Sequence, residues 1–396
     1  MEKIFSWLRQ NWRLITLGLA VFLVAYVLLF RGLGSLTGHL YSTSELSAHE
    51  HSHSLKTILQ DPLNAPHKAV VWAGIKLGHH SMLATRIATA LFALCIGLLY
   101  YWIIAHWYST RVAVLSTLLF VTSSSYLHIA RYGTALILQM YILAFVAGVV
   151  LYQRSRHEKH AIYILAVMAA LCFYIPGMVW LLVAEFVLLR KHIKRVLHRF
   201  GQKHVVILSL CGLITLAPLL WAIAQRPAII LSVAGLPTTL PSWSLIADQS
   251  LHLISSIVYR GYWPSEYWLY GAPLLNITEI ILCIIGIIML VQRPISRANR
   301  FVCIALAIST LLVCLGGSAN IALLIPLIYL TIAGGIYHLL DQWLAIFPRN
   351  IVARGVGIGF MCVLVMFSVF YHLRAYTVAW PQAPETRTVY HLKQPT

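Results

Sequence analysis

AIYILAVMAALCFYIPGMVWLLVAEFVLLR, residues 161–190, is the stretch on which the architecture turns. It carries no charge except Glu185 before it reaches Arg190, so it belongs in an apolar surrounding. As one helix it would run about 45 Å, well beyond the ~30 Å hydrocarbon core of a bilayer. Pro176–Gly177 divides it instead, because proline withholds a helical N–H and glycine lets the chain turn. Two short spans are predicted, at 161–175 and 177–190. If they were one, everything downstream would change sides.

Charge supports the division. With the break kept, Arg190, Lys191, Lys194, Arg195, Arg199 and Lys203 fall on the same side as Arg154, Arg156 and Lys159 and the later Arg293, Arg297 and Arg300. That is the positive-inside pattern of cytoplasmic segments. Without the break, either the upstream or the downstream cluster would face outward.

The whole chain agrees with a membrane reading. Its 396 residues are 60% hydrophobic and only 10% charged, with mean hydropathy +0.80. A soluble domain carries about 25% charged residues. Apolar stretches long enough to span predict eleven helices, at 14–31, 83–105, 112–129, 134–152, 161–175, 177–190, 205–225, 275–292, 301–317, 319–340 and 355–373. The expected fold is an all-α polytopic membrane protein with one domain, 1–373, and an outer C-terminal tail, 374–396. Lys3, Arg9 and Arg13 precede the run Leu14–Phe30, which reads as an uncleaved anchor with the N-terminus in the cytoplasm and the chain in the cytoplasmic (plasma) membrane.

Net charge is +18, but the basic residues lie in short runs between apolar segments, so they are orientation signals and contacts to membrane lipid, and no nucleic acid is expected. The seven cysteines all lie in apolar segments without CxxC spacing, which predicts neither a disulfide framework nor a zinc site. No Walker loop, GxGxxG or GxSxG is present, which argues against a nucleotide-fuelled machine. The spans lack the interior charge of an ion-coupled transporter.

Chemistry is therefore expected in two long outer loops, 32–82 and 226–274. Within the second, 243–259 puts Ile246, Leu253, Ile254, Ile257 and Val258 on one helical face and polar residues opposite, an interfacial helix. The first contains STSELSAHEHSHS, where Glu45 or Glu50 is a candidate general base. His49, His51 and His53 alternate; on a strand they would share a face and suit a divalent metal, though a solvated His-rich loop is the simpler account. Arg131, at a helix mouth, and with less weight Arg86, suit an anion such as phosphate. YRGYWPSEYWLYG surrounds Arg260 and Glu266 with Tyr262, Trp263 and Tyr267, residues able to stack on a sugar or to form an interfacial aromatic belt.

The order of these features resembles the GT-C superfamily of membrane glycosyltransferases, near the protein O-mannosyltransferase and lipid A aminoarabinose transferase branch. The similarity rests on SEL at 44–46, NAPHKAVVWAGIKLG at 64–78, ATRIATALFA at 84–93, IARYGTA at 129–135 and LLIPLIYLTIAGG at 323–335. It implies a GT-C-like bundle and inverting transfer of a hexosyl or pentosyl group from a polyprenyl-phosphate-linked sugar to a protein, lipid or glycan acceptor at the outer face. No cofactor is required on this reading, and a divalent metal at the three histidines is the alternative. The family's acidic pair falls on Ser44 and Glu45, so the first acid is absent, and Asn320-Ile321 stands where a basic–aromatic pair often precedes the late proline. Carried over, Glu45 takes the base role with Glu50 as substitute. Arg131, Arg86 and Arg260 would hold the donor phosphate, and Tyr262, Trp263, Glu266 and Tyr267 would position substrate. The rivals are a non-enzymatic transporter or scaffold for lipid-linked intermediates, and an inactive relative.

Overall fold

A backbone taken out of water must satisfy its own N–H and C=O groups, and every apolar stretch of this chain does so by coiling. The computed structural model describes residues 2–78, 82–154, 158–239, 241–292 and 297–393; Arg156, Arg293 and tail residues 394–396 lie outside these. Helix α1 is Glu2–Phe30; the first loop carries α2 (Thr43–Glu50), α3 (Leu55–Gln60) and α4 (Ala65–Lys76). Then come α5 (Leu83–Trp107), α6 (Thr110–Thr122), α7 (Ser124–Arg131), a 3-10 segment Ala135–Tyr141, α8 (Ile142–Arg154), α9 (Glu158–Cys172) and α10 (Met178–Gln225). The second loop holds α11 (Ile229–Val233) and α12 (Trp243–Val258), followed by α13 (Ile277–Gln292), α14 (Arg297–Gly316), α15 (Ile321–Ile346) and α16 (Ile351–Arg374). Beyond a π turn, Ala375–Ala379, lie α17 (Trp380–Gln382) and α18 (Pro384–Val389). Among the described residues the only extended pairing is an isolated antiparallel bridge between Tyr41 and Leu392.

All eleven expected spans fall on helix. Leu83–Trp107, Gln202–Gln225, Ala298–Ile346 and Ile351–Gln382 are long and apolar enough to cross a membrane, and α6 with α7 makes a fifth if that bent pair is one span. Ile15–Phe30, Ala135–Val149, Ile162–Cys172 and Ile277–Gln292 are shorter apolar helices. Two expected spans are irregular. The third is bent by 60° between α6 and α7, where Ser123 is extended (ψ 138°) and its hydroxyl accepts from the Tyr126 N–H. The fourth opens on the 3-10 segment rather than on α-helix.

The break at Pro176–Gly177 falls where the sequence puts it. Gly177 has φ 78°, a left-handed conformation open to glycine, and its N–H bonds the Val233 carbonyl. Beyond it α10 is one helical run of 48 residues, but it is not straight. The Tyr174 hydroxyl donates to the Thr215 carbonyl at 2.5 Å, and Tyr163 Oη lies 2.8 Å from His204 Nδ1. A straight helix would separate positions 178 and 215 by about 55 Å. So α10 doubles back through its basic middle. Its first arm descends beside α9 and its second returns, as the two expected spans 177–190 and 205–225 require.

Between helices in lipid there is little hydrophobic gain, and close packing of small residues takes over. Helix α15 is buried along Ile321–Ile336 and lies at the centre of the bundle. It meets α13 at two glycines. A Cβ on Gly335 would collide with the Leu282 carbonyl, and one on Gly286 with the Thr331 carbonyl. Asn320 anchors the start of α15 by donating to the carbonyls of Gly235 (2.8 Å) and Leu312 (3.0 Å).

A buried polar knot joins the helix ends. Glu279, in the first turn of α13, accepts Tyr329 Oη at 3.3 Å and lies 2.8 Å from His372 Nε2, in the last turn of α16. Both side chains are buried, and Ser124 Oγ lies 3.1 Å from His372 Nδ1. Four helices, α7, α13, α15 and α16, meet there around a shared polar knot, which makes the burial tolerable. The interfacial helix expected at 243–259 is α12. Leu253 and Ser256 turn inward, and Trp243, Leu251 and Ile254 are exposed.

Two measurements check this packing. Gly335→Ala should lower stability by about 1–3 kcal/mol or more, because backbone and not a movable side chain opposes the new methyl; an unchanged melting temperature in detergent would refute the close approach. The second concerns His67 on α4, buried with Nε2 2.9 Å from Thr89 Oγ1. Burial, then the neighbouring Lys68 charge, lowers its pKa to about 3. An unfolded histidine titrates near 6.5, so between pH 6.5 and 3 the unfolded chain binds the extra proton and stability falls as pH falls. About 2 kcal/mol should be lost between pH 6.5 and 5. His67→Gln should flatten that slope in melting curves.

Candidate active site

Ser42-Thr43-Ser44-Glu45 opens α2 as a capping box: Ser42 Oγ accepts the Glu45 N–H, and Glu45 Oε2 accepts the Ser42 N–H, each at 3.2 Å. This turns Glu45 inward, fully buried. Its carboxylate then meets Arg86 of α5, with Nε donating to Oε1 at 2.7 Å and Nη2 to Oε2 at 2.8 Å. The Gly133 N–H adds a further bond to Oε1 at 2.9 Å. Arg86 also donates to the Leu40 carbonyl (2.9 Å) and Thr37 Oγ1 (3.3 Å), and its guanidinium lies 4.4 Å from the centre of the Tyr41 ring. The charge of Glu45 is thus compensated where it lies, and Arg86 is largely spent on Glu45.

Arg131 ends α7 and caps another helix. It donates to the carbonyls of Leu28 (2.7 Å), in the last turn of α1, and of Arg31 (2.9 Å) and Gly32 (2.7 Å), just beyond it. A guanidinium has five N–H groups, so two remain. Beside it His128, one helical turn earlier, is buried with both ring nitrogens unpartnered, its ring against Tyr376 and Trp380.

These groups line one narrow cleft whose accessible volume is about 20 Å³, room for about one water. Its walls are Arg86, His128, Arg131 and Tyr132 from the helices, Gly34 and Thr37 from the first loop, and Tyr376, Trp380 and Tyr390 from the tail. The tail is no loose end: Trp380 Nε1 donates to the Ser265 carbonyl (3.0 Å), the Tyr390 hydroxyl donates to the Glu266 carbonyl (2.6 Å), and Leu392 bridges Tyr41.

The second loop reaches the cleft wall through Glu266, which bonds the lining residue Tyr132. Its carboxylate accepts the Tyr132 hydroxyl at 2.7 Å and the Ser44 hydroxyl at 3.0 Å, and it is half-buried. Burial, then the Glu266 charge, pushes the Tyr132 hydroxyl well above the usual tyrosine range, so it remains a donor. Tyr267 is buried, with its hydroxyl on the Ser318 carbonyl (3.4 Å) and its ring 5.7 Å from that of Tyr132. Trp263 packs on Trp268, while Tyr262 and Arg260 are exposed and stack on each other at 5.2 Å. Of the expected loop residues, Glu266 and Tyr267 touch the cleft-lining Tyr132 without lining the cleft themselves, and Arg260 does not line it either.

Glu50 ends α2, exposed and outside the cleft. The histidine alternation is corrected too. His49 lies in a helix, not a strand, so His49 and His51 point about 200° apart, and the near neighbours are His49 and His53, rings 6.3 Å apart. Burial, then His53, lowers the His49 pKa. Among the described residues no three His, Cys, Asp or Glu side chains are grouped to hold a metal ion. Sequence reasoning missed His128, Tyr132, Tyr376, Trp380 and Tyr390. The S-x-x-E capping signature and the aromatic spacing YTVAW at 376–380 were the available signals.

The helices define a class: an all-α polytopic membrane fold. The particular fold is that of ArnT, the lipid A aminoarabinose transferase. Apo ArnT from Cupriavidus metallidurans superposes with a TM-score of 0.61 at 15% identity, covering 96% of this chain and 78% of that one. The same protein bound to undecaprenyl phosphate gives 0.55 at 14% identity, covering 95% and 77%. At that identity the likeness is one of fold. No protein-family model matches the chain, and no curated protein matches it in sequence.

The buried pair makes a direct prediction. Glu45→Gln should cost about 3–5 kcal/mol by leaving Arg86 uncompensated, with partial recovery in the Glu45→Gln, Arg86→Met double variant. Glu50→Gln should stay within about 0.5 kcal/mol. Chemical denaturation in detergent checks both; equal effects would contradict the pairing.

Proposed function

We propose that this protein transfers a sugar from a polyprenyl-phosphate donor to an acceptor at the non-cytoplasmic face of the plasma membrane, with the N-terminus inside and the C-terminal tail outside. The observation that carries the reading is the cleft. It offers an anion the two spare N–H groups of Arg131 and the unpartnered ring of His128, with Arg86 behind them. The solved relative of this fold that holds undecaprenyl phosphate supports that choice of anion. A lipid-linked donor also suits an outer face, where a membrane-anchored phosphate can reach a cleft at the helix mouths.

The reaction follows. An acceptor hydroxyl oxygen bonds the anomeric carbon while the bond from that carbon to the phosphate oxygen breaks. The electron pair leaves on the phosphate, where Arg131 and His128 stabilise the added charge. The hydroxyl proton passes to a carboxylate acting as general base. Attack opposite the leaving phosphate inverts the anomeric centre. The residues engaged are all the protein's own, and no metal is invoked.

Binding tests this before any sugar is chosen. In nanodiscs, native mass spectrometry should show undecaprenyl phosphate bound at least about tenfold more tightly than undecaprenol, one charge-assisted contact being worth about 1.5–3 kcal/mol. His128→Leu should remove most of that preference. A wild-type protein that binds both lipids alike would end the proposal and favour a scaffold or transporter.

A further inference from the structure

We infer that Glu266 of the second loop is the catalytic base of this site. The inference rests on the sugar-transfer reading above. Two carboxylates hydrogen-bond residues that line the cleft, Glu45 through Arg86 and Glu266 through Tyr132. Only the second is free to take a proton. Glu45 is enclosed by a bidentate guanidinium and two backbone N–H groups. The side-chain partners of Glu266 are two neutral hydroxyls, Tyr132 on one oxygen and Ser44 on the other. A carboxylate has about four lone-pair sites, so each oxygen keeps one for an incoming hydroxyl.

Its position is held from three sides. Tyr132 and Ser44 hold the head group, Tyr390 holds its own carbonyl, and Trp380 holds the carbonyl of Ser265. A base must sit still to within a fraction of an ångström, and this one is braced by the first loop, the end of α7 and the tail. It is also half-buried, so the proton it receives can pass to outer water in the next step, with no other co-reactant.

Ser44 gives the assignment a second leg. It stands where the GT-C resemblance calls for an acid, and its hydroxyl is 3.0 Å from Glu266 Oε1. The second loop thus delivers from 222 residues away a carboxylate to the place where the first loop lacks one. An aspartate at position 44 would occupy nearly the same space.

The experiment uses membranes containing the full chain and follows release of undecaprenyl phosphate from undecaprenyl-phosphate-linked aminoarabinose, glucose and mannose. Glu266→Gln should lower kcat at least about 100-fold, erase the acid limb of the pH–rate profile, and leave undecaprenyl phosphate binding and melting temperature near wild type. Glu266→Asp should keep measurable turnover. Ser44→Asp added to Glu266→Gln should restore at least about tenfold of the lost rate, which a merely structural role for Glu266 does not predict. Full turnover by Glu266→Gln with lipid phosphate bound overturns the assignment and spares the sugar-transfer reading. Parallel loss of lipid binding and melting temperature, without rescue by Ser44→Asp, makes Glu266 a strut and also overturns it. A wild type inactive on all three donors and blind to undecaprenyl phosphate removes the reading and the base together.

Discussion

The ion pair between Glu45 and Arg86 is the constraint on which the loop-bearing end of the molecule depends. Neither charge is stable where it lies without the other, since a buried unpaired ion is far more costly than a buried pair. The bidentate geometry of the guanidinium fixes direction as well as distance. From that one contact the first loop is tied to α5, the Leu40 and Thr37 turn is drawn in, and the Gly133 backbone is held beside α7. Tyr41, stacked on the same guanidinium, then presents its backbone to Leu392. Loop, helix mouth and tail converge because a single carboxylate had to be compensated.

Environment separates the two acids of this site more than residue type does. Glu45 and Glu266 are chemically identical, yet one is enclosed by cationic and amide donors and the other meets only hydroxyls. The first is committed to holding charge in place. The second keeps open lone pairs beside the cleft, the state that proton transfer would need. The cations divide in the same way: Arg86 is consumed by structure, while Arg131 caps α1 and still has donors to spare.

The membrane fold was largely legible, and for a physical reason. A helix in lipid is written as a contiguous run of apolar residues, and the break at Pro176–Gly177 is written in two residue types that no helix interior favours. The bend at Ser123 was hidden because serine also occurs within helices, and only its extended backbone shows the interruption. The knot of Glu279 and His372 joins positions 93 apart and was invisible as two isolated polar residues. The site was legible in parts. Glu45, Arg86, Arg131, Glu266 and Tyr267 were each singled out, but their roles depend on partners. Ser44 with Glu266 and Arg131 with the end of α1 are pairings that no local pattern encodes. The tail escaped notice because outside the membrane its aromatic residues carry no periodic signal.

The tail's place in the cleft wall has a consequence for biosynthesis. Glu45 and Arg86 emerge from the ribosome early, and their pairing can form as soon as α5 enters the membrane. Tyr376, Trp380 and Tyr390 are translated only after all the other spans. Until they arrive, the cationic floor stands without a roof, and the carbonyls of Ser265 and Glu266 lack the indole and phenol that hold them. A growing chain is therefore inserted and largely packed before its cleft exists. The last wall of the cleft is thus also the last part of the chain to be made.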